Sequence, residues 1–237
     1  MIHYHGGPIT PATAALRTWT GRHAFVSFAR PEQMPLAAEV CQSFALDNGA
    51  FSFWRAGTPV DWAAYYRWVA DCRRYPGFDF AVVPDVIDGS EAENDALAEA
   101  WPFARAEGAV VWHINESVDR LIRLAESWPR VAIGSSGAFD VSRPRAFLAR
   151  AREALAAICD DDGYPVCKLH GLRMLNPAIF SQLPLASADS TNVARNIGID
   201  AAWRGTYRPR SKDLRAAILV ERIEATNGAC RLHPPIT

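Results

Sequence analysis

Short runs of apolar, β-branched or aromatic residues recur along the chain. Each run is followed by a polar or glycine-containing turn and then by a stretch with helical spacing. Near-continuous apolar strands that alternate with amphipathic helices are typical of parallel βαβ units, in which helices cover both faces of the sheet. The pattern predicts eight strands: Ile2–His5, Ala24–Phe28, Ser43–Leu46, Phe78–Val83, Ala109–Ile114, Val131–Ile133, Val166–Leu169 and Leu185–Ala188.

The segments between these runs carry signals for helix starts. Thr58 precedes Pro59, Ser90 precedes two nearby glutamates, and Ser142 stands just before an Arg-Pro pair. Serine and threonine favour the N-cap position, and proline favours the first helical turn. Four of the helices are predicted at Pro59–Arg74, Ser90–Ala106, Ser117–Ser127 and Pro144–Cys159.

Eight strands within 237 residues favour a single α/β domain folded as a (β/α)8 TIM-type barrel. The barrel is predicted to span residues 1–196, and a basic C-terminal extension, 197–237, is predicted to pack on it. An open, doubly wound sheet is the alternative architecture.

Polar and glycine clusters follow nearly every predicted strand. In a barrel the loops after the strands form one mouth, which is where chemistry is expected. The clusters are His5-Gly6-Gly7, Asp47-Asn48-Gly49, Pro84-Asp85, His113-Ile114-Asn115, Gly134-Ser135-Ser136-Gly137, His170-Gly171 and Asp189-Ser190.

Three aspartates, Asp47, Asp85 and Asp189, stand at these strand ends. A single aspartate in such a place can be a helix cap or an Asx turn. Three together favour a site in which one carboxylate is a nucleophile and another a general acid or base. The third carboxylate can accept hydrogen bonds from a planar ligand.

Composition narrows the function classes. The formal net charge is −1, which excludes a polycation, so any contact with nucleic acid must use a local basic face. The five cysteines include no Cys-x-x-Cys pair, which favours reduced thiols. No signal-peptide pattern opens the chain and no apolar run is long enough to cross a membrane. We therefore expect a cytoplasmic protein without membrane contact.

The segment Leu46-Asp47-Asn48-Gly49-Ala50-Phe51 resembles the Asp-Ser-Gly-Gly-Phe signature of the tRNA-guanine transglycosylases. These enzymes are (β/α)8 barrels that exchange guanine for a 7-deazaguanine. Further similarity follows in the same order, over residues 43–196. It is carried by Asp85, by His113-Ile114-Asn115, by Ala132-Ile133-Gly134-Ser135-Ser136-Gly137, and by Ala188-Asp189-Ser190-Thr191-Asn192-Val193-Ala194-Arg195-Asn196.

The departures from that family point to a subgroup. Asn48 and Ala50 replace a serine and a glycine, so the floor of the base pocket is expected to differ. The Cys-x-Cys-x2-Cys…His zinc site of the tRNA enzymes is absent, and no RNA-binding domain is appended. In this the chain most resembles the compact deazapurine DNA transglycosylases of phages and bacterial DNA-modification clusters (the DpdA type).

The resemblance implies a role for each matched residue. Asp189 is implied as the nucleophile and Asp47 as the general acid and base. DNA is the implied partner, with tRNA as the alternative, together with a free 7-deazaguanine base, and neither a cofactor nor a metal is implied. The need for accessory proteins and the oligomeric state stay open. The residues implied to bind the base are Asp85, His113, Asn115, Gly134, Ser135 and Phe51.

A local basic face lies near the C-terminus. Residues 195–222 contain seven basic residues against three acidic ones, an excess of four positive charges. Such a stretch suits contact with phosphates. The predicted backbone-binding residues are Arg195, Arg204, Arg208, Arg210 and Lys212.

Two other functions remain open at this stage. One is a metal-dependent hydrolase, because a His-x-His on the first strand, later histidines and a final aspartate resemble the ligand pattern of amidohydrolase-type barrels. His170 departs from it, since it follows the seventh predicted strand and not the sixth. The other is a barrel that binds nucleic acid without catalysis. The metal site would use His3, His5, His113, His170 and Asp189.

Overall fold

The chain folds into a closed barrel of eight parallel strands that follow one another in chain order, and helices alternate with the strands. The computed structural model describes residues 1–135, 137–199, 203 and 207–233. The predicted (β/α)8 architecture is confirmed, and the open doubly wound sheet is wrong, because β1 pairs with β8 and closes the sheet. The strands are β1 Ile2–Gly6, β2 His23–Ser27, β3 Ser43–Asp47, β4 Phe78–Val82, β5 Gly108–His113, β6 Arg130–Gly134, β7 Lys168–Gly171 and β8 Ser187–Ser190.

The described α-helices pack around this barrel and are joined by three short 3-10 turns. They are α1 Ala12–Trp19, α2 Met34–Val40, α3 Ala50–Ala56, α4 Trp62–Cys72, α5 Glu91–Glu99, α6 Val118–Ser127, α7 Pro144–Ala156, α8 Pro177–Phe180, α9 Asn192–Asn196 and α10 Lys212–Glu224.

Alternation along the strands divides the apolar residues into two cores. Side chains such as Tyr4, Phe25 and Phe80 point into the barrel and pack there with small residues. The alternate residues along the strands, such as Leu46 on β3 and Ile133 on β6, point outward and pack beneath the helices. Because successive side chains point to opposite faces, each strand contributes to both cores.

Strands β7 and β8 begin and end later than their apolar runs predict. Val166, in the predicted seventh strand, is 63% exposed and follows an antiparallel bridge between Cys159 and Pro165. Residues near this bridge therefore cannot join the barrel ladder. At the other end both strands continue through polar residues, so His170 and Asp189 lie within strands and not after them.

The predicted start signals hold at α5 and fail at α4, while α7 begins at Pro144 as the Arg-Pro pair indicates but has Arg143 and not Ser142 at its N-cap. Ser90 and Glu93 form a reciprocal capping box at α5, and Ser117 caps α6. Thr58 does not begin α4, because Asp61 accepts a hydrogen bond from the Ala64 amide and caps that helix three residues later. Three of the four predicted helices end too late, whereas α6 ends at Ser127 as predicted. For example, α5 ends before Trp101-Pro102, since proline cannot continue the hydrogen-bond ladder.

Helix α10 belongs to the ring of helices around the barrel. It packs against α1 and α9, and Ala216, Leu219 and Val220 are buried in the outer core. The predicted boundary at residue 196 stays a prediction. Beyond it, Ile197, Trp203 and Leu232 pack against the outer core together with this helix.

Candidate functional site

A cavity of about 660 Å³ opens at the end of the barrel where the strands finish. Its innermost ring is made by strand residues that face the barrel interior, like the apolar core, but stand two residues further along each strand. This ring contains Ser27 of β2, Asp47 of β3, His113 of β5, Gly134 of β6 and Asp189 of β8. The barrel therefore changes from apolar to polar within one side-chain layer.

Asp47 lies in an environment that disfavours its charged form. Burial raises its pKa to about 6, the Ser27 side chain and the Gly49 amide oppose the shift, and the charges of Asp189 and Asp85 add to it. Ser27 and Asp47 are register partners on β2 and β3, so their side chains lie side by side on the interior face of the barrel. A carboxyl group with a pKa near 6 can both donate and accept a proton close to neutral pH.

The turn after Asp47 positions a second carboxylate. Gly49 adopts a left-handed conformation (φ 78°), which allows α3 to begin immediately after the strand. The Asn48 amide nitrogen donates to Asp85 Oδ1 at 2.7 Å and to the Val83 carbonyl at 2.9 Å. Its side-chain oxygen accepts from the Ala50 amide at 2.9 Å. Asn48 therefore holds Asp85 in place.

Asp85 and His113 form a buried pair on one wall of the cavity. His113 Nε2 lies 3.0 Å from Asp85 Oδ2, although the two groups are poorly aligned for a hydrogen bond. Burial alone lowers the pKa of His113, but the Asp85 carboxylate and the nearby Glu116 outweigh it and raise that pKa above the usual value. His113 is thus biased toward its charged form, which can donate from both ring nitrogens.

A buried network supports His113 from behind. Glu116 Oε2 accepts from the His113 main-chain amide at 2.8 Å and from Arg120 Nη1 at 2.6 Å. Arg120 is fully buried, donates to the Val111 carbonyl and pairs with Asp95 at 2.7 Å. Paired buried charges of this kind fix the loop after β5.

Asp189 faces the same cavity from the opposite side. It is buried, and its Oδ1 accepts a hydrogen bond from the Arg173 main-chain amide at 2.8 Å. His170 Nε2 lies 3.4 Å from the same oxygen, and burial lowers the pKa of His170, which keeps that ring neutral. One main-chain amide therefore orients a carboxylate that lines the cavity.

Arg173 is a site residue that the sequence patterns did not reveal. It has a positive φ of 60°, unusual for a residue with a side chain. Its guanidinium donates to the Ser135 carbonyl at 2.6 Å and lies 4.0 Å from the centre of the Phe51 ring. Arginine gives no sequence signal for a left-handed turn, so only the folded loop reveals this role.

The glycine loop after β6 completes the wall. A side chain at Gly134 would come within 2.9 Å of His113 Nδ1, so glycine is needed where β5 and β6 meet. Ser135 is buried at the cavity surface, and its hydroxyl has no hydrogen-bond partner within the residues that the structure describes. A buried hydroxyl of this kind is suited to a ligand.

The structure brings most of the predicted site residues to this one cavity. Asp47, Asp85, His113, Gly134, Ser135, Phe51, Asp189 and Arg195 all line it. Asn115 is exposed and does not line it, and its role in binding the base stays a prediction.

The predicted basic face is less uniform than its charge count suggests. Arg208, Arg210 and Lys212 are exposed and lie outside the cavity lining. Arg204 lies outside the described residues. Arg215, counted in the local excess, is buried and donates to the main-chain carbonyls of Pro209, Ile197 and Arg210, so it stabilises the start of α10.

The five ligands of the alternative metal site do not come together as a set, although His170 lies beside Asp189. His3 and His5 point outward, where His3 contacts the Thr226 carbonyl and His5 contacts Glu224 at 3.0 Å. Strand alternation explains this, because Tyr4 between them occupies the barrel interior. Within the described part of the chain, no three His, Cys, Asp or Glu side chains are grouped closely enough to hold a metal ion.

Comparison of the chain with protein families, with curated proteins and with solved structures found no match. Among the described helices, none combines the length and the apolar character that a membrane span requires.

Proposed function

We propose that the chain is a base-exchange glycosyltransferase that replaces guanine in DNA with a 7-deazaguanine derivative such as 7-cyano-7-deazaguanine. The observation that carries the proposal is the convergence of Asp47 and Asp189, from β3 and β8, on one cavity. Their charges interact strongly enough for Asp189 to raise the pKa of Asp47. The proposal also rests on the sequence resemblance to the transglycosylases.

The two carboxyl groups suit the two halves of a double displacement. Asp189, held by the Arg173 amide, attacks C1′ of the deoxyguanosine, and the bond from C1′ to N9 of guanine breaks. The electron pair stays with guanine, which takes a proton from Asp47. Asp47, now ionised, removes the N9 proton of the incoming deazaguanine. Its N9 then attacks C1′ and releases Asp189.

The wall formed by Asp85, His113 and Ser135 suits the polar edge of a guanine. Asp85 can accept from N–H groups, while a charged His113 and the buried Ser135 hydroxyl can donate to the ring carbonyl. A base must leave the stack to reach such a cavity, and the Phe51 ring offers a face for it to contact.

The test is transfer of label from 7-cyano-7-deazaguanine into DNA by the purified chain. We expect incorporation by the wild type and at least a thousandfold slower incorporation by Asp189→Asn, since amide oxygen is a poor nucleophile. Asp71→Asn, on the exposed side of α4, is the matched control and should keep wild-type activity.

Absence of label with the wild type, or equal labelling with Asp189→Asn, contradicts the proposal. Thermal unfolding of each variant checks that a loss of activity is not a loss of fold. A parallel arm with tRNA separates the RNA-directed alternative, which predicts labelling of tRNA and not of DNA.

A further inference from the structure

Four arginines line the same cavity whose inner wall carries three aspartates. They are Arg30, Arg55, Arg173 and Arg195, and they come from four different segments of the chain. The aspartates lie at or just after strand ends, whereas the arginines follow them in the loops and short helices. The site is therefore acidic inside and basic at its mouth.

Three of these arginines, Arg55, Arg173 and Arg195, form no ion pair with an acid within the described part of the chain. Arg55 lies in the last turn of α3 and Arg195 in the last turn of α9, and both are exposed. Arg30 differs, since it pairs with Glu32 at 2.7 Å.

Arg173 connects the basic mouth to the acidic interior. Its main-chain amide binds Asp189, while its guanidinium lies over Phe51 and uses one nitrogen on the Ser135 carbonyl. A guanidinium carries five N–H donors, so others remain for a second ligand.

We propose that Arg55, Arg173 and Arg195 bind phosphates of a nucleic-acid strand on either side of the nucleotide that enters the cavity. The inference rests on the proposed function for the identity of that nucleotide. Guanidinium groups match phosphate oxygens in charge and in bidentate geometry. The aspartates repel phosphate from the interior, so a strand is held at the mouth while its uncharged base reaches inward.

This proposal places the contact with the nucleic-acid phosphates on α3, α9 and the loop after β7. The sequence patterns had placed it mainly on the stretch that contains Arg208, Arg210 and Lys212. The two surfaces share only Arg195, and substitution can therefore separate them.

The experiment measures the affinity of the full chain for a short fluorescent oligonucleotide by anisotropy, at salt concentrations from about 50 to 200 mM. DNA and RNA strands of the same sequence form parallel arms. The variants are Arg55→Ala, Arg195→Ala and their double, with Arg67→Ala on the exposed face of α4 as the matched control. Arg210→Ala/Lys212→Ala tests the other surface.

Each lost phosphate contact should lower the slope of log affinity against log salt by about 0.7 for a single strand. We expect this for Arg55→Ala and Arg195→Ala, with several-fold weaker binding at low salt, and wild-type behaviour for Arg67→Ala. The stronger of the DNA and RNA arms identifies the strand.

Wild-type slopes in both single variants, a loss confined to Arg210→Ala/Lys212→Ala, or no binding by the wild type would overturn the inference. Binding is measured without free base, so its outcome is separate from that of base exchange. If Arg55→Ala and Arg195→Ala weaken binding but the wild type exchanges no base, only the proposed function is refuted. Base exchange with unchanged slopes and an unchanged KM for the oligonucleotide refutes only the phosphate contacts.

Discussion

The carboxyl group of Asp47 is placed where its charged form is disfavoured. Burial and two neighbouring carboxylates raise its pKa to about 6, from an ordinary value of 3.8. The folded state therefore holds a proton more tightly than the unfolded chain. The stability that this proton supplies is fully present below the unfolded pKa and is lost as the pH rises through 6.

Replacing Asp47 with asparagine should remove this dependence. Asp47→Asn is expected to gain stability over the wild type as the pH rises, by about 1–2 kcal/mol between pH 5 and pH 8, because the buried charge is gone. Urea unfolding of both proteins at the two pH values measures the difference. A stability difference that does not change with pH would show that Asp47 is not perturbed by its surroundings.

Some residues of the site can be predicted from the sequence, and others cannot. Asp47, Asp85 and Asp189 stand out because each follows an apolar run, and the structure places all three at one cavity. Arg173 and the supporting role of Asn48 do not stand out. Their contacts depend on a left-handed main-chain conformation and on the approach of loops distant in sequence.

Between elements, the contact of β5 with β6 sets the shape of the cavity wall that carries His113. His113 and Gly134 are register partners, and the missing side chain at Gly134 leaves room for the imidazole. An alanine there would place its Cβ 2.9 Å from His113 Nδ1, closer than packed atoms tolerate.

Gly134→Ala should therefore displace His113 from Asp85. We expect a loss of about 1–3 kcal/mol in the free energy of unfolding, typical of overpacking, and, if the proposed function holds, a larger relative loss in base-exchange rate. Denaturant unfolding and the label-transfer assay measure the two effects. Gly198→Ala is the control, because a Cβ there meets no atom of the described residues within 4 Å. Equal behaviour of the two variants would contradict the steric role of Gly134.

The apolar runs locate the strands correctly, but they misplace where the strands end. The runs identify residues that face the cores, but the last residue of a barrel strand often faces the cavity and is polar. This explains why β7 and β8 extend through His170 and Asp189, beyond their predicted ends.

For the molecule as a whole, α10 is tied to the first strands through a charged cluster. Glu224 contacts His5 at 3.0 Å and Arg22 at 2.9 Å. Burial opposes ionisation of Glu224, but these two partners outweigh it and lower its pKa to about 2. A lowered acid pKa gives stability that is present above the unfolded value and is lost as the pH falls through 2.

Glu224→Gln should then destabilise the fold by about 1–2 kcal/mol at pH 7, after allowance for partial exposure. The difference from the wild type should shrink as the pH falls below 4.5 toward 2. Urea unfolding across this range tests it, with Glu221→Gln, exposed on the same helix, as control. A difference that persists unchanged at low pH would mean that ionisation of Glu224 does not stabilise the contact.

The linear chain is enough to indicate the eight-stranded barrel and the three aspartates at its mouth. Strand alternation, helix caps and the polar ends of apolar runs are local properties, and parallel strands bring their ends to one rim. Which charged side chains lie in the cavity, and how they affect one another, is decided only by the tertiary structure. Strand register decides which side of β1 its histidines face. Loop conformation decides which arginines reach the cavity, and burial decides how far the pKa of Asp47 rises. These arise only when distant segments pack together, because the electrostatic effect of each charge depends on distances that sequence order does not contain.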